Sequence, residues 1–386
     1  MWSTLLTSFL LLSVGAANND ACRIVPQGPD GDAFYTPPAR LPQEDHGALI
    51  WYRPFTGPAV LSGGRNTLLL YTQEGIHGEP VATSGFMVVP DGDAPEGGWP
   101  VVTWAHGTTG IADQCAPTRS SDIPANYPLL EDWISKGYAV VATDYEGLGT
   151  PGPHPYLIGD SEGRAVLDII RGARTYEPKL SNRVLVAGHS QGGQAALFAA
   201  ALAPSYTPEL EIFGTVAFAP VSNLENEVPL LHGVSINSLS GTVALILRGL
   251  SIANSSLDVT ALLTPAAAKL YPETLTECLD ALDSNSSFGA LEADQLVLPT
   301  ASLTDVIAAL RDNDASFLKI KQPILVLQGL ADTTVLPFTT TDLVTALKAS
   351  GADITLDTFA GATHTGVIAA GSSDATNFLV QKLPTT

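Results

Sequence analysis

Cysteine, basic residues and long apolar runs are all scarce in this chain of 386 residues. Its three cysteines, Cys22, Cys115 and Cys278, allow at most one intramolecular disulfide. No CxxC pair or Cys/His cluster has metal-ligand spacing, so no structural metal is expected. Lysine and arginine number 18 against 39 acidic residues, a formal net charge of −21. A surface of that sign repels phosphate backbones and anionic bilayers, which argues against nucleic acid as a partner and against charge-driven membrane docking. Beyond the N-terminus no stretch is apolar and long enough for a membrane span.

What is present is enough apolar residue, 45% of the chain, for one large core. Residues 1–17 carry the run Leu5-Leu6-Thr7-Ser8-Phe9-Leu10-Leu11-Leu12 followed by Gly15, Ala16 and Ala17, and read as a signal peptide for export. The remainder, 18–386, reads as a single catalytic domain. After a proline-rich lead-in to about residue 60, strand-like runs at 67–71, 82–89, 100–105, 138–143, 183–187, 212–217 and 323–327 are interspersed with helical segments. The runs at 100–105 and 138–143 are continuously apolar, as expected of strands buried on both faces. In the helix expected at 160–176, Ala165, Val166, Ile169, Ile170 and Ala173 share one side. This order predicts an α/β fold with a mostly parallel central sheet and helices on both faces. From 221 to 316 the alternation stops, and helical pieces at 242–250, 258–270 and 272–282 read as a cap over the catalytic face.

The segment most informative about chemistry is Gly188-His189-Ser190-Gln191-Gly192, a G-x-S-x-G motif between a buried strand and a helix. That context exposes Ser190 as a nucleophile on a tight turn. A serine hydroxyl needs a base, and the base an orienting carboxylate, in the chain order Ser, acid, His. His364 is the histidine that follows a plausible acid late in the chain, in the glycine-rich loop after 354–359. Asp332, just past a buried strand, is the expected acid, with Asp353 and Asp357 as rivals. The developing oxyanion calls for backbone N–H donors: Gln191, directly after the nucleophile, and Thr108 in His106-Gly107-Thr108-Thr109-Gly110, with Thr109 the close second. His106 and His189 are given no proton-transfer role. The loop Asp144-Tyr145-Glu146-Gly147-Leu148-Gly149-Thr150, with Pro151 to Tyr156 after it, is expected on the catalytic face, either lining the pocket or supporting it.

These residues together with Asp113-Gln114-Cys115-Ala116-Pro117 give the chain a resemblance to the secretory lipase family, the group of the yeast lipase A type and its bacterial relatives, within the α/β-hydrolase superfamily. The likeness runs from about residue 45 to the C-terminus. It implies the α/β-hydrolase fold, hydrolysis of carboxylic esters including acylglycerols, and a helical cap inserted after the sixth strand. It also implies a disulfide between Cys115 and Cys278, with Cys22 free. Gln191 departs from the yeast type, which has a small residue there.

The expected protein is therefore a secreted serine carboxylic-ester hydrolase, an esterase or lipase working through an acyl-enzyme without metal or organic cofactor. Its partner would be a small-molecule or lipid ester, with lipid contact through the cap. A peptidase or an acyltransferase on the same fold shares the triad and stays open, as do acyl chain length and oligomeric state. A non-catalytic binding module would lack a triad member, and none is missing.

Overall fold

In a computed structural model, residues 25–42, 46–57, 59–120, 122–227 and 239–385 are described. The expected signal peptide and Cys22 lie outside them. Among the described residues the backbone forms β1 Leu49–Pro54, β2 Gly64–Glu74, β3 Pro80–Pro90, β4 Trp99–Ala105, β5 Ala139–Thr143, β6 Leu180–His189, β7 Glu211–Phe218, β8 Ile324–Gly329 and β9 Ile354–Phe359. They join in one sheet of order β1-β2-β3-β5-β4-β6-β7-β8-β9. The first three strands and the β3–β5 pair are antiparallel, and every pair from β5 onward is parallel. β4 and β5 exchange places, so the loops leaving β4 and β6 diverge at one end of the sheet, where open α/β sheets form their sites.

The eleven α-helices of the described residues are α1 Asp122–Asn126, α2 Leu129–Ser135, α3 Gly159–Tyr176, α4 Gln191–Tyr206, α5 Leu224–Glu227, α6 Ser240–Ala253, α7 Pro265–Leu270, α8 Leu279–Leu282, α9 Thr304–Asp312, α10 Pro337–Ala349 and α11 Gly366–Lys382. Successive strand residues feed opposite cores, as the pleat requires. Val102, Trp104, Leu185 and Ala187 pack with Trp133 of α2 and Leu379 of α11. Val101, Ala105, Val184 and Val186 pack with the α3 stripe Ala165, Val166, Ile169, Ile170 and Ala173. Both neighbours being apolar explains why these strands read as unbroken hydrophobic runs.

Between β7 and β8 the chain leaves the sheet and builds a core of its own, in which Leu245, Leu250, Tyr271, Leu282 and Phe288 pack together with Tyr156, Leu157 and Val335 of the underlying loops. This helical insertion is tied to the loop after β4 by the Cys115–Cys278 disulfide, a bridge pairing Gly110 with Cys278, and the hydrogen bond from Leu279 N to Thr109 O, 3.0 Å. Among the described residues no helix is long and apolar enough to cross a membrane.

Two expectations need correction. The lead-in contains a strand: Leu49 and Ile50 of β1 are buried, although neighbouring prolines and aromatics mask any alternation. With β1 counted, the insertion follows the seventh strand rather than the sixth.

Candidate active site

The turn from β6 into α4 is made by backbone approach that excludes side chains on either flank of Ser190. A Cβ on Gly188 would stand 2.1 Å from Gly192 O, and one on Gly192 would stand 2.0 Å from Ala105 O. Ser190 itself takes φ 58°, ψ −118°, and its N–H donates to Phe218 O at 2.9 Å. A left-handed backbone on a residue with a side chain costs about 1–3 kcal/mol and persists where packing over-determines it.

Three residues distant in sequence converge there. His364 Nε2 lies 2.8 Å from Ser190 Oγ, and His364 Nδ1 lies 2.8 Å from Asp332 Oδ2. With Nδ1–H donating to the carboxylate, Nε2 is left to accept the serine proton. Asp332 sits just past β8, and its other oxygen accepts from Thr334 N at 2.8 Å and Val335 N at 2.9 Å. Gln328 Nε2 donates to Oδ2 at 3.1 Å. Burial works to raise the Asp332 pKa, but the hydrogen bond and charge of His364 and the two backbone donors outweigh it and hold the carboxyl below its ordinary value. The rivals fall elsewhere: Asp357 is inside β9, paired with Leu327, and Asp353 immediately precedes that strand.

A cavity of about 570 Å³ opens over this trio. Thr108, Thr109, Tyr156, Ser190 and His364 contribute polar atoms to its lining, and Leu157, Val221, Val243, Ile246 and Val335 an apolar wall. Gln191 is the first residue of α4, so its N–H has no carbonyl one turn back. In the β4 loop Gly107 N is engaged by Tyr127 Oη at 3.1 Å, and both Thr108 and Thr109 reach the cavity.

Other histidines support this arrangement. His189 Nε2 donates to His364 O at 3.0 Å and so braces the loop that carries His364. Burial, reinforced by the charge of His364, lowers its pKa to about 3, which keeps it a neutral imidazole. His106 Nδ1 is 2.7 Å from Gly107 O, within the loop it belongs to. Of the loop expected on the catalytic face, residues 144–150 support the cavity without lining it, and Tyr156 at its end lines it. Asp144 accepts from Ser84 Oγ at 2.6 Å, and from Thr118 N at 3.0 Å and Thr118 Oγ1 at 2.5 Å, and Glu146 is paired with Ser161.

The sequence reading gives Glu162 and the Gln191 side chain no part, and names His154 and Tyr156 only as members of the stretch after β5. All four are buried behind or beside Ser190. One signal was available: Glu162 falls three and four residues before Ala165 and Val166, on the apolar stripe of α3, where an unpaired carboxyl is out of place.

The sequence model of the Secretory lipase family matches residues 114–336, over half of the chain, and that of the prolyl oligopeptidase family matches residues 299–383. Lipase 7 of Candida albicans is 25% identical over 247 residues, covering 60% of this chain and 55% of its own length. The chain spans about half the length of the curated relatives it matches. The rice cell wall degrading esterase LipA from Xanthomonas oryzae aligns in three dimensions with a TM-score of 0.73 at 19% identity, covering 88% of this chain and 99% of that one. Candida antarctica lipase A aligns with a TM-score of 0.72 at 24% identity, covering 86% and 80%. These likenesses establish the α/β-hydrolase fold.

Proposed function

This chain belongs to the secretory lipase family, and from that premise we propose that it is a secreted serine hydrolase of carboxylic esters. The single observation that carries the reading is the hydrogen-bonded path from Ser190 Oγ through His364 to Asp332, open to a cavity with an apolar wall beside polar groups. Ser190 Oγ attacks the ester carbonyl while His364 Nε2 takes its proton. The tetrahedral oxyanion is held by the N–H groups of Gln191 and Thr108. His364 then protonates the departing alcohol. Water, activated by the same imidazole, releases the acid and restores the serine.

The insertion acts in this reading as a cap, residues 221–316. It roofs the cavity through Val243 and Ile246 and offers the face on which a small-molecule or lipid ester enters. The apolar leader at 1–17 and the family's secretory character support export. The prolyl oligopeptidase match favours one second reading, a peptidase. Those residues hold Asp332 and His364, which esterases and serine peptidases share, and the longer match to the lipase family favours the ester.

The test is hydrolysis of p-nitrophenyl esters from acetate to palmitate beside amino-acid anilides, with Ser190→Ala as control. Ester cleavage that falls by about 10⁴-fold or more in the variant is expected. Anilide cleavage without ester cleavage would move the protein to the peptidase reading.

A further inference from the structure

Tyr156 and Leu157 sit side by side at the cavity wall, and hydrogen bonds lead from them in two directions. Tyr156 Oη is 2.6 Å from Thr108 Oγ1. Leu157 N donates to Glu162 Oε1 at 2.8 Å, and the same oxygen accepts from Gln191 Nε2 at 2.8 Å. The second proton of that amide meets His154 Nε2 at 3.1 Å, while His154 Nδ1 donates to Glu146 O at 2.8 Å. An unbroken path therefore joins the two residues whose N–H groups are assigned to the oxyanion.

Three observations mark this path as more than core filling. Leu157 holds φ 59°, a strained backbone for a leucine, at the point where the two branches meet. Glu162 is fully buried, its Oε2 has no hydrogen-bond partner among the described residues, and the His154 ring 3.9 Å from Oε1 is held neutral by burial, an arrangement that costs folding stability. Burial outweighs the hydrogen bonds from Gln191 and Leu157 and pushes its pKa up to about 8. Finally, α6 of the insertion presses on the same place: a Cβ on Gly249 would stand 2.2 Å from Tyr156 O.

We propose that Tyr156 and Glu162 are positioning residues that, through Leu157, form a strut setting the separation between the Thr108 and Gln191 oxyanion donors. The proposal rests on the ester-hydrolase reading. Neither residue touches the reacting atoms. Each acts by holding a loop whose N–H must face one oxygen, and small displacements of such donors cost rate more than binding.

The experiment compares wild type with Tyr156→Phe, Glu162→Leu and Glu162→Gln on one p-nitrophenyl ester. It measures kcat, KM, melting temperature and the inhibition constant of an alkyl boronic acid, whose Ser190 adduct carries the tetrahedral oxygen. Tyr156→Phe and Glu162→Leu should lower kcat by roughly 10- to 100-fold with KM within about twofold, and weaken the boronic acid in step. Glu162→Gln keeps an acceptor for both N–H groups and should stay within about threefold of wild type. Should Glu162→Leu fail to fold, Tyr156→Phe decides. Wild-type kcat and boronic-acid affinity in Tyr156→Phe would overturn the strut alone, as would a change confined to KM. A wild type that cleaves no ester would overturn the parent reading and the strut with it.

Discussion

Asp332 receives four hydrogen bonds within 3.1 Å, from His364, Gln328, Thr334 and Val335, so its position does not depend on its charge. Asp332→Asn should accordingly leave the fold intact. An amide presents the wrong polarity to His364 Nδ1, favouring the tautomer in which Nε2 can no longer accept the serine proton. Ester turnover should drop by about 10⁴-fold with an unchanged circular dichroism spectrum. Glu162 makes a different prediction. Its pKa rises from 4.5 to about 8 on folding, so between those values the folded protein holds more proton than the unfolded chain. Its contribution to wild-type stability therefore declines as pH rises from about 4.5 to about 8. Glutamine does not titrate, so the melting-temperature advantage of Glu162→Gln over wild type should grow across that interval and level off above it. An advantage independent of pH would show that the carboxyl is not buried as described. Taking the difference between the two proteins cancels the opposite dependence of His154 and His189, whose burial favours the neutral ring. Ser190, His364 and Asp332 were legible in the sequence because a motif and a chain order single them out. Glu162 and Tyr156 were not, because their part arises from contacts with residues 29 and 48 positions away, which no local pattern encodes.

At the scale of elements, the alternation of buried strands and amphipathic helices was readable wherever both sheet faces are covered, as in β4, β5 and β6. It failed at β1, an edge strand six residues long with three partly exposed positions in its middle. The insertion's helices were placed less well than the sheet's. Their short turns pack on one another and on loops rather than on a regular surface, so no single period dominates. The Cys115–Cys278 disulfide closes a loop of 163 residues and fastens this insertion to the segment bearing Thr108 and Thr109. Replacing both cysteines by serine should cost about 2–4 kcal/mol of stability, read from denaturant unfolding without reductant. Because Thr109 O also accepts from Leu279 N, the loop stays partly anchored and measurable ester turnover should persist. Complete loss of activity in a protein that remains folded would mean that the covalent link alone sets the loop.

For the molecule as a whole, the formal net charge of −21 is carried by a protein whose proposed entry face is capped by an apolar-cored insertion. Attraction to lipid would then have to be hydrophobic and work against charge. Retention on zwitterionic vesicles should exceed that on phosphatidylserine-rich vesicles in low salt, and the gap should close in high salt as screening shortens the reach of the field. Stronger retention on the anionic vesicles in low salt would place a basic patch where none is expected.

The central claim is that Ser190 is a nucleophile activated by His364. Its most direct measurement is the intact mass and peptide map of the protein after treatment with an alkyl fluorophosphonate, which captures activated serines covalently. The account predicts one adduct per chain, on the peptide containing Ser190, and none in the Ser190→Ala or His364→Ala variants. An unlabelled wild type, or an adduct that persists at another residue when Ser190 is replaced, would contradict it.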